Sequence, residues 1–396
     1  MTKYTLTGSE NYAARIVKVH TLIDLPNLDN LKGLPTDGFT ALVPKSTEIG
    51  STLAVFPAGS ALSEAFAAEH NLFRHSEKNK TPGAVGYLDD NGKVTALKLR
   101  GQISSALALP IDGPEGTLFD TIDGVVVSQK WVNPNAKSPQ VPGQKKVRIS
   151  FDLPEHFDTA SWFRNKHLIS DDTYVTVTQK LHGTSLRVGR LPLETPLKWW
   201  ERLLGRTPKK TFVPVIGSRR TIKFAGEPRE GAEHFYGEGN DIWSKAGLPI
   251  AEVIPDGVMV YAEIIGYVGD TPIQPGYTYM HNPGEFSTYV YRVVVGGFDL
   301  SWDALKQFCE SRGLKYVPEL WRGLHRDFDV DQWMDTTYGG NAVPLDPKSP
   351  CDEGVTVRVE GITPLVLKAK SGLFLIHEGH EADAGRADIE EEEGVA

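Results

Sequence analysis

A lysine amine becomes a nucleophile only when it is deprotonated and held in place, and Lys180 meets the second condition. It ends the run YVTVTQK (residues 174–180). The alternation predicts a strand with Val175, Val177 and Gln179 on one face and Thr176, Thr178 and Lys180 on the other. The polar turn LHGTS follows, and Gly183 opens backbone conformations closed to bulkier residues. Taken alone, a lysine there is more often structural than catalytic. Four further segments, however, carry groups suited to phosphate chemistry. GSRR (217–220) sets Arg219 and Arg220 at the mouth of a strand. VMVYAEIIG (258–266) is apolar but for Glu263, a carboxylate that is costly in such a strand unless paired or used. DEGVTVR (352–358) places Glu353 just before a strand. LVLKAK (365–370) puts Lys368 and Lys370 on one strand face, where they repel unless an anion lies between or above them.

The segments KLHGTS, SRR, YAEIIG, GGFDL, EGVTVR and LKAK occur in that order. In type and order they resemble the motifs of the covalent nucleotidyltransferases, which include ATP-dependent RNA and DNA ligases and mRNA capping enzymes. The closest likeness is to the RNA ligase 2 family, whose first motif also reads K-x-H-G-T. The resemblance spans about residues 150–376; GLKYVPELWRG (313–323) looks like the stretch before the fourth motif, and LKLRGQISSALALP like an N-terminal OB-type domain.

The resemblance implies a reaction. Lys180 attacks the α-phosphorus of ATP to give lysyl-AMP, the AMP passes to an RNA 5′-phosphate, and a 3′-OH then displaces it. It implies that Arg219 and Glu263 grip the ribose, that Phe298 stacks on adenine, and that Lys368 and Lys370 face the α-phosphate. Phe298 packed in the core is the alternative for that residue. Glu353 is implied to hold Mg²⁺ or Mn²⁺, hard ions that suit oxygen ligands and retained water. Two departures stand out: His182 where many relatives have Asp, and Gln179 where Glu is frequent. The rival enzymes are a DNA ligase or a GTP-dependent capping enzyme. They usually carry an OB domain after the last motif, and the few residues after Lys370 favour an RNA ligase. A non-catalytic RNA-binding protein is the rival of another class. Retention of Lys180, Glu263, Glu353, Lys368 and Lys370 together speaks against it.

The elements that must position these residues read as α+β. Up to about residue 110, AARIVKVH, GFTALVP, STLAVFP and VTALKL are short β-type runs, which suggest a small barrel, and SALSEAFAAEHNLF predicts an interrupting helix. With the resemblance, the expected organisation is an OB-like β-barrel over 1–140 with its linker. A nucleotidyltransferase domain of antiparallel sheets flanked by helices follows over 150–376, then an acidic, disordered tail over 377–396. The Pro-rich stretch 133–146 is the linker, and DALKQFCESRGLK a helix ending at Gly313. KWWERLLGRTPKK (198–210) reads as a surface insertion, although its basic and aromatic residues also suit a nucleic-acid contact. HEGH (377–380) has the wrong histidine spacing for a zinc-protease motif.

The net charge of −9 argues only weakly against an RNA partner. From residue 378 onward eight acids face one base, so that end carries −7 and leaves a near-neutral body able to present a basic groove. No secretory h-region or apolar membrane span is visible. The two cysteines, Cys309 and Cys351, lack metal-ligand spacing, which suits a reducing intracellular compartment. A monomer is expected.

Overall fold

The computed structural model describes residues 3–132, 153–156, 159–194, 204, 207, 210–219, 221–227 and 241–384. The linker at 133–146, Arg220 and nearly all of 198–210 lie outside them. The chain divides into two compact units. The first comprises Met1–Pro134, Ala160–Leu168 and Ala369–Gly385; the second comprises Asn135–Thr159, Ile169–Lys368 and Arg386–Ala396.

In the first unit, six short strands form one sheet: β1 (Ala14–Lys18), β2 (Leu31–Thr36), β3 (Phe39–Pro44), β4 (Thr52–Pro57), β5 (Ala106–Leu109) and β6 (Leu118–Phe119). Their order is β6-β1-β4-β5-β3-β2, antiparallel throughout except β3 beside β5. The expected OB-like barrel is therefore an open sheet among the described residues. The short strands that could extend it pair elsewhere, Ser128–Lys130 with Ser60–Leu62 and Tyr4–Thr5 with Thr121–Ile122. Ile16, Ala54, Phe56, Leu107 and Phe119 form its core. Ser60–Leu62 opens as a strand what the sequence suggested as a helix, and α1 is confined to Glu64–Glu69.

The second unit is built from two antiparallel sheets. One has the order β16-β15-β7-β14, with β7 at Tyr174–Lys180, β14 at Glu319–Leu324, β15 at Gly354–Val359 and β16 at Leu365–Lys370. The other has the order β10-β9-β8-β11-β12-β13. Its strands are β8 (Thr184–Glu194), β9 (Lys210–Gly217), β10 (Ile222–Ala225), β11 (Val258–Val268), β12 (Phe286–Val295) and β13 (Phe298–Asp299). The alternation in YVTVTQK holds, since Val175 and Val177 are buried on one face and Thr178 pairs with Thr356 on the other. Helix α2 (Ile242–Val253) packs against β8 and β9. Helix α3 (Trp302–Glu310) buries Trp302, Leu305 and Cys309. Helix α4 (Gly372–Asp383) takes in the start of the stretch read as a solvated tail; residues after 384 lie outside the described part. No described helix is long and apolar enough to cross a membrane.

Candidate active site

Lys180 ends β7, and the chain crosses at once to the other sheet, where β8 begins at Thr184. Leu181–Gly183 is thus a hinge between sheets, and its backbone is bound on several sides. The Tyr279 hydroxyl accepts from the His182 N–H at 2.7 Å. Glu263 Oε1 accepts from the Gly183 N–H at 2.9 Å, and Gln274 Nε2 donates to the Gly183 carbonyl at 2.8 Å. A Cβ on Gly183 would lie 2.1 Å from the Ile264 carbonyl oxygen, so only glycine lets β11 approach this closely.

Strand register then supplies the partners. Lys180 lies opposite Gly354, which brings the preceding Glu353 to the amine: Nζ stands 2.8 Å from Glu353 Oε1. Glu353 is only 1% exposed, whereas the lysine side chain keeps 26% of its surface open. His182 Nδ1 is 4.0 Å from the other Glu353 oxygen. Ser185 lies opposite Glu263, which fixes that carboxylate beside the turn.

Lys180 opens onto a cavity of about 160 Å³ whose walls include Arg219, Glu263 and Lys368. Arg219 is held through its turn. Buried Arg187 donates from Nε to the Ser218 carbonyl at 2.6 Å, and Ser218 and Thr221 bond to one another. Thr178, Thr356, Val317, Val366 and Trp302 add further wall. The Trp302 indole N–H donates to Glu319 at 2.7 Å and the Trp302 backbone N–H to Glu360 at 2.7 Å, which locks that residue.

Three expected members are not on this wall, and of these Glu353 meets it only through the Lys180 amine. Phe298 sits at the tip of the β12–β13 hairpin, 66% exposed, neither in the core nor against the cavity. The aromatic on the wall is Tyr291. It owes its place to a β-bulge: Tyr261 pairs with Arg292 and Ala262 with Val290, so Tyr291 is the extra residue whose side chain is re-aimed. His156 packs edge-on to it, with 5.1 Å between ring centres. Lys370 clusters with the first unit, where its Nζ pairs with Glu378 at 2.9 Å. That pairing relieves the repulsion expected between neighbouring lysines.

The Gln179 amide is taken up by the protein's own groups. Its Nε2 donates to the Val343 carbonyl at 3.0 Å and to Asp352 Oδ1 at 2.7 Å, and its Oε1 accepts from the Val343 N–H at 2.7 Å. Burial pushes the Asp352 carboxyl up to about 6, against the pull of the Tyr338 N–H and of Gln179. A glutamate at 179 would set a second carboxylate against it, so glutamine is the complementary choice. Tyr291, Asp352 and the tyrosines of the 277–279 segment escape sequence reasoning, because bulges and side-chain-to-backbone bonds leave no periodic signal.

A divalent ion fits the donors present. Glu353 is a hard carboxylate with an imidazole nearby, and such ions are often held by one or two carboxylates with water and substrate phosphate completing the shell. No group of three His, Cys, Asp or Glu side chains able to hold a metal occurs among the described residues, HEGH included.

The family model for RNA ligase matches residues 173–371, half of the chain. No curated protein matches by sequence. Among solved structures, Naegleria gruberi RNA ligase with pyrophosphate is 16% identical with a TM-score of 0.61, covering 93% of this chain and 99% of that one. A mutant of the same ligase with AMP and manganese is 15% identical at a TM-score of 0.59, covering 91% and 97%. Another, with ATP and manganese, is 15% identical at 0.56, covering 93% and 98%. At these identities the likeness establishes the fold.

Proposed function

The chain belongs to the RNA ligase family, and from that premise we propose that it joins RNA 3′-OH and 5′-phosphate ends with ATP, through AMP carried on Lys180. One observation carries the reading: Lys180 Nζ lies 2.8 Å from buried Glu353, beside a cavity that Arg219, Glu263 and Lys368 also line.

Free lysine loses its proton near pH 10.4, so the amine must give one up before it attacks. Lys368, on the same cavity wall, disfavours the ammonium, and the Glu353 carboxylate holds the amine in place. Nζ then bonds to the α-phosphorus, the bond to the bridging oxygen breaks, and pyrophosphate leaves. Lys368 offsets the charge that grows on the α-phosphate, and Lys370, two residues on along the strand, is assigned the same task. Arg219 and Glu263 hold the ribose hydroxyls, a carboxylate having acceptor capacity for both a hydroxyl and the Gly183 N–H. Tyr291 replaces Phe298 as the residue that stacks on adenine. Glu353, with His182 near it, would hold Mg²⁺ or Mn²⁺, which would supply positive charge at the phosphates. The nucleotides and manganese in the Naegleria gruberi structures support these cofactors.

The AMP then passes to the RNA 5′-phosphate, and the 3′-OH attacks that phosphorus and releases AMP. These steps ask the protein for positioning and charge neutralisation. We read the first unit as the OB-type accessory domain and the protein as a monomer of a reducing intracellular compartment. The two buried free thiols, Cys309 and Cys351, are consistent with that compartment.

Incubation with α-labelled ATP and Mn²⁺ tests the reading. The wild type takes up label covalently and Lys180→Ala does not. An unlabelled wild type sinks the proposal, and label from GTP instead turns it toward a capping enzyme. Sealing of nicked duplexes with RNA or DNA on either side of the break then defines the substrate.

A further inference from the structure

The hinge that carries Lys180 is held by a loop that the adenylylation chemistry does not itself require. Residues 277–279 reach two places at once. The Tyr279 hydroxyl binds the His182 N–H at 2.7 Å, while the Tyr277 hydroxyl donates to the Cys351 carbonyl at 2.8 Å, two residues before Glu353. The Tyr277 ring also stands edge-on to His182, with 5.2 Å between centres and 87° between planes. Both tyrosines are buried, at 0% and 3% exposure. One short segment thus touches the nucleophile's hinge and the approach to its carboxylate partner.

The loop holds an unusual backbone. Tyr279 and Met280 have φ of 51° and 61°, a left-handed conformation that costs a non-glycine residue on the order of 1 kcal/mol. Such geometry persists only where the surroundings over-determine it. Asp346 does so. Its Oδ2 accepts from the Thr278 N–H at 2.6 Å and the Tyr279 N–H at 3.2 Å; its Oδ1 accepts from the Thr278 hydroxyl at 2.7 Å and the Met280 N–H at 2.9 Å. The Gly276 carbonyl is tied by the Ser349 hydroxyl at 2.6 Å.

We infer that Tyr279 is a positioning residue for Lys180, and that the Asp346-bound loop sets the line along which the amine meets the α-phosphorus. The inference rests on Lys180 as the nucleophile. Tyr279 acts through the His182 peptide and is not among the residues that line the cavity. Removing its hydroxyl leaves that buried N–H without its acceptor and lets the hinge shift. Misplacement of about 1 Å slows such a step about 100-fold.

The reaction itself offers the discriminating test. Attack on ATP uses the lysine amine; sealing of a pre-adenylylated RNA end does not. Tyr279→Phe is expected to slow covalent labelling by between about 10-fold and 100-fold, with KM for ATP unchanged and sealing of pre-adenylylated RNA within about twofold of wild type. Asp346→Asn, which leaves the tyrosine in place and loosens the loop, is expected to show the same split and carries the test if Tyr279→Phe does not fold. Equal loss of both activities overturns the inference in favour of a general structural role, and so does labelling at the wild-type rate. A wild type that takes no label counts against Lys180 as nucleophile, a separate failure.

Discussion

Two glycine-containing turns of the second unit, both picked out by sequence motifs, differ in what surrounds them. The Lys180 turn crosses between sheets under constraint: Tyr279, Glu263 and Gln274 bind its peptide groups, and a Cβ on Gly183 would lie 2.1 Å from a carbonyl oxygen. The Gly296–Gly297 turn joins β12 to β13 with φ of 59° and 87°, and a Cβ on either residue would meet nothing within 4 Å. The first glycine is there for space, the second pair for conformation. Reactive groups gather around the constrained turn, while the free one projects Phe298 into solvent. A motif aromatic at a loose hairpin tip is a poor substitute for one re-aimed by a bulge.

The contrast can be broken most severely at Gly183. Gly183→Ala forces the Cβ into the Ile264 carbonyl, costing about 3 kcal/mol and slowing lysine labelling by about 100-fold or more; thermal unfolding and label uptake read the two effects. Gly297→Ala should cost about 1 kcal/mol and leave labelling unchanged. Next in size is Gln179→Glu, which sets a carboxylate against buried Asp352 and should cost about 3 kcal/mol above pH 7. The sign with pH follows from Asp352, whose pKa rises from 3.8 to about 6 on burial. The native state binds that proton more tightly than the unfolded chain, so the group's favourable contribution is lost as pH rises through that window. The variant's deficit in thermal midpoint should therefore shrink at pH 5 and grow at pH 8. A smaller effect is expected at Tyr291: Tyr291→Ala should raise KM for ATP about tenfold, the loss of one base stack. Phe298→Ala should change stability by less than about 0.5 kcal/mol and leave KM for ATP as it was. A reversed order for the two aromatics would restore Phe298 to the base site.

Much of the site was legible because it is written in strands. Lys180, Glu263 and Lys368 could be assigned a face from alternation, and the structure keeps Lys180 and Lys368 at the cavity with Glu263. Glu353 could be placed before a strand, but its partner could not be named, since the pairing of Lys180 with Gly354 joins positions far apart in the chain. Tyr291 and Phe298 were interchangeable to a reading by motif. The bulge that separates them is a one-residue slip visible only when β11 and β12 are paired. The first unit misled in another way: its short β-runs were real, but whether they close into a barrel depends on which edges find partners.

By itself the sequence determined the chemistry of the parts: a lysine at a strand end, a glycine after it, a lone carboxylate in an apolar strand and two basic residues on one strand face. Local periodicity and residue type suffice for these, because each is a property of a few consecutive residues. Tertiary structure alone decided which carboxylate meets the amine and which aromatic lines the cavity. It also decided that Gln179 serves Asp352, and that a loop held in left-handed backbone by Asp346 grips the hinge. Those outcomes rest on register and on single hydrogen bonds between distant segments, whose energies exist only once the sheets have formed.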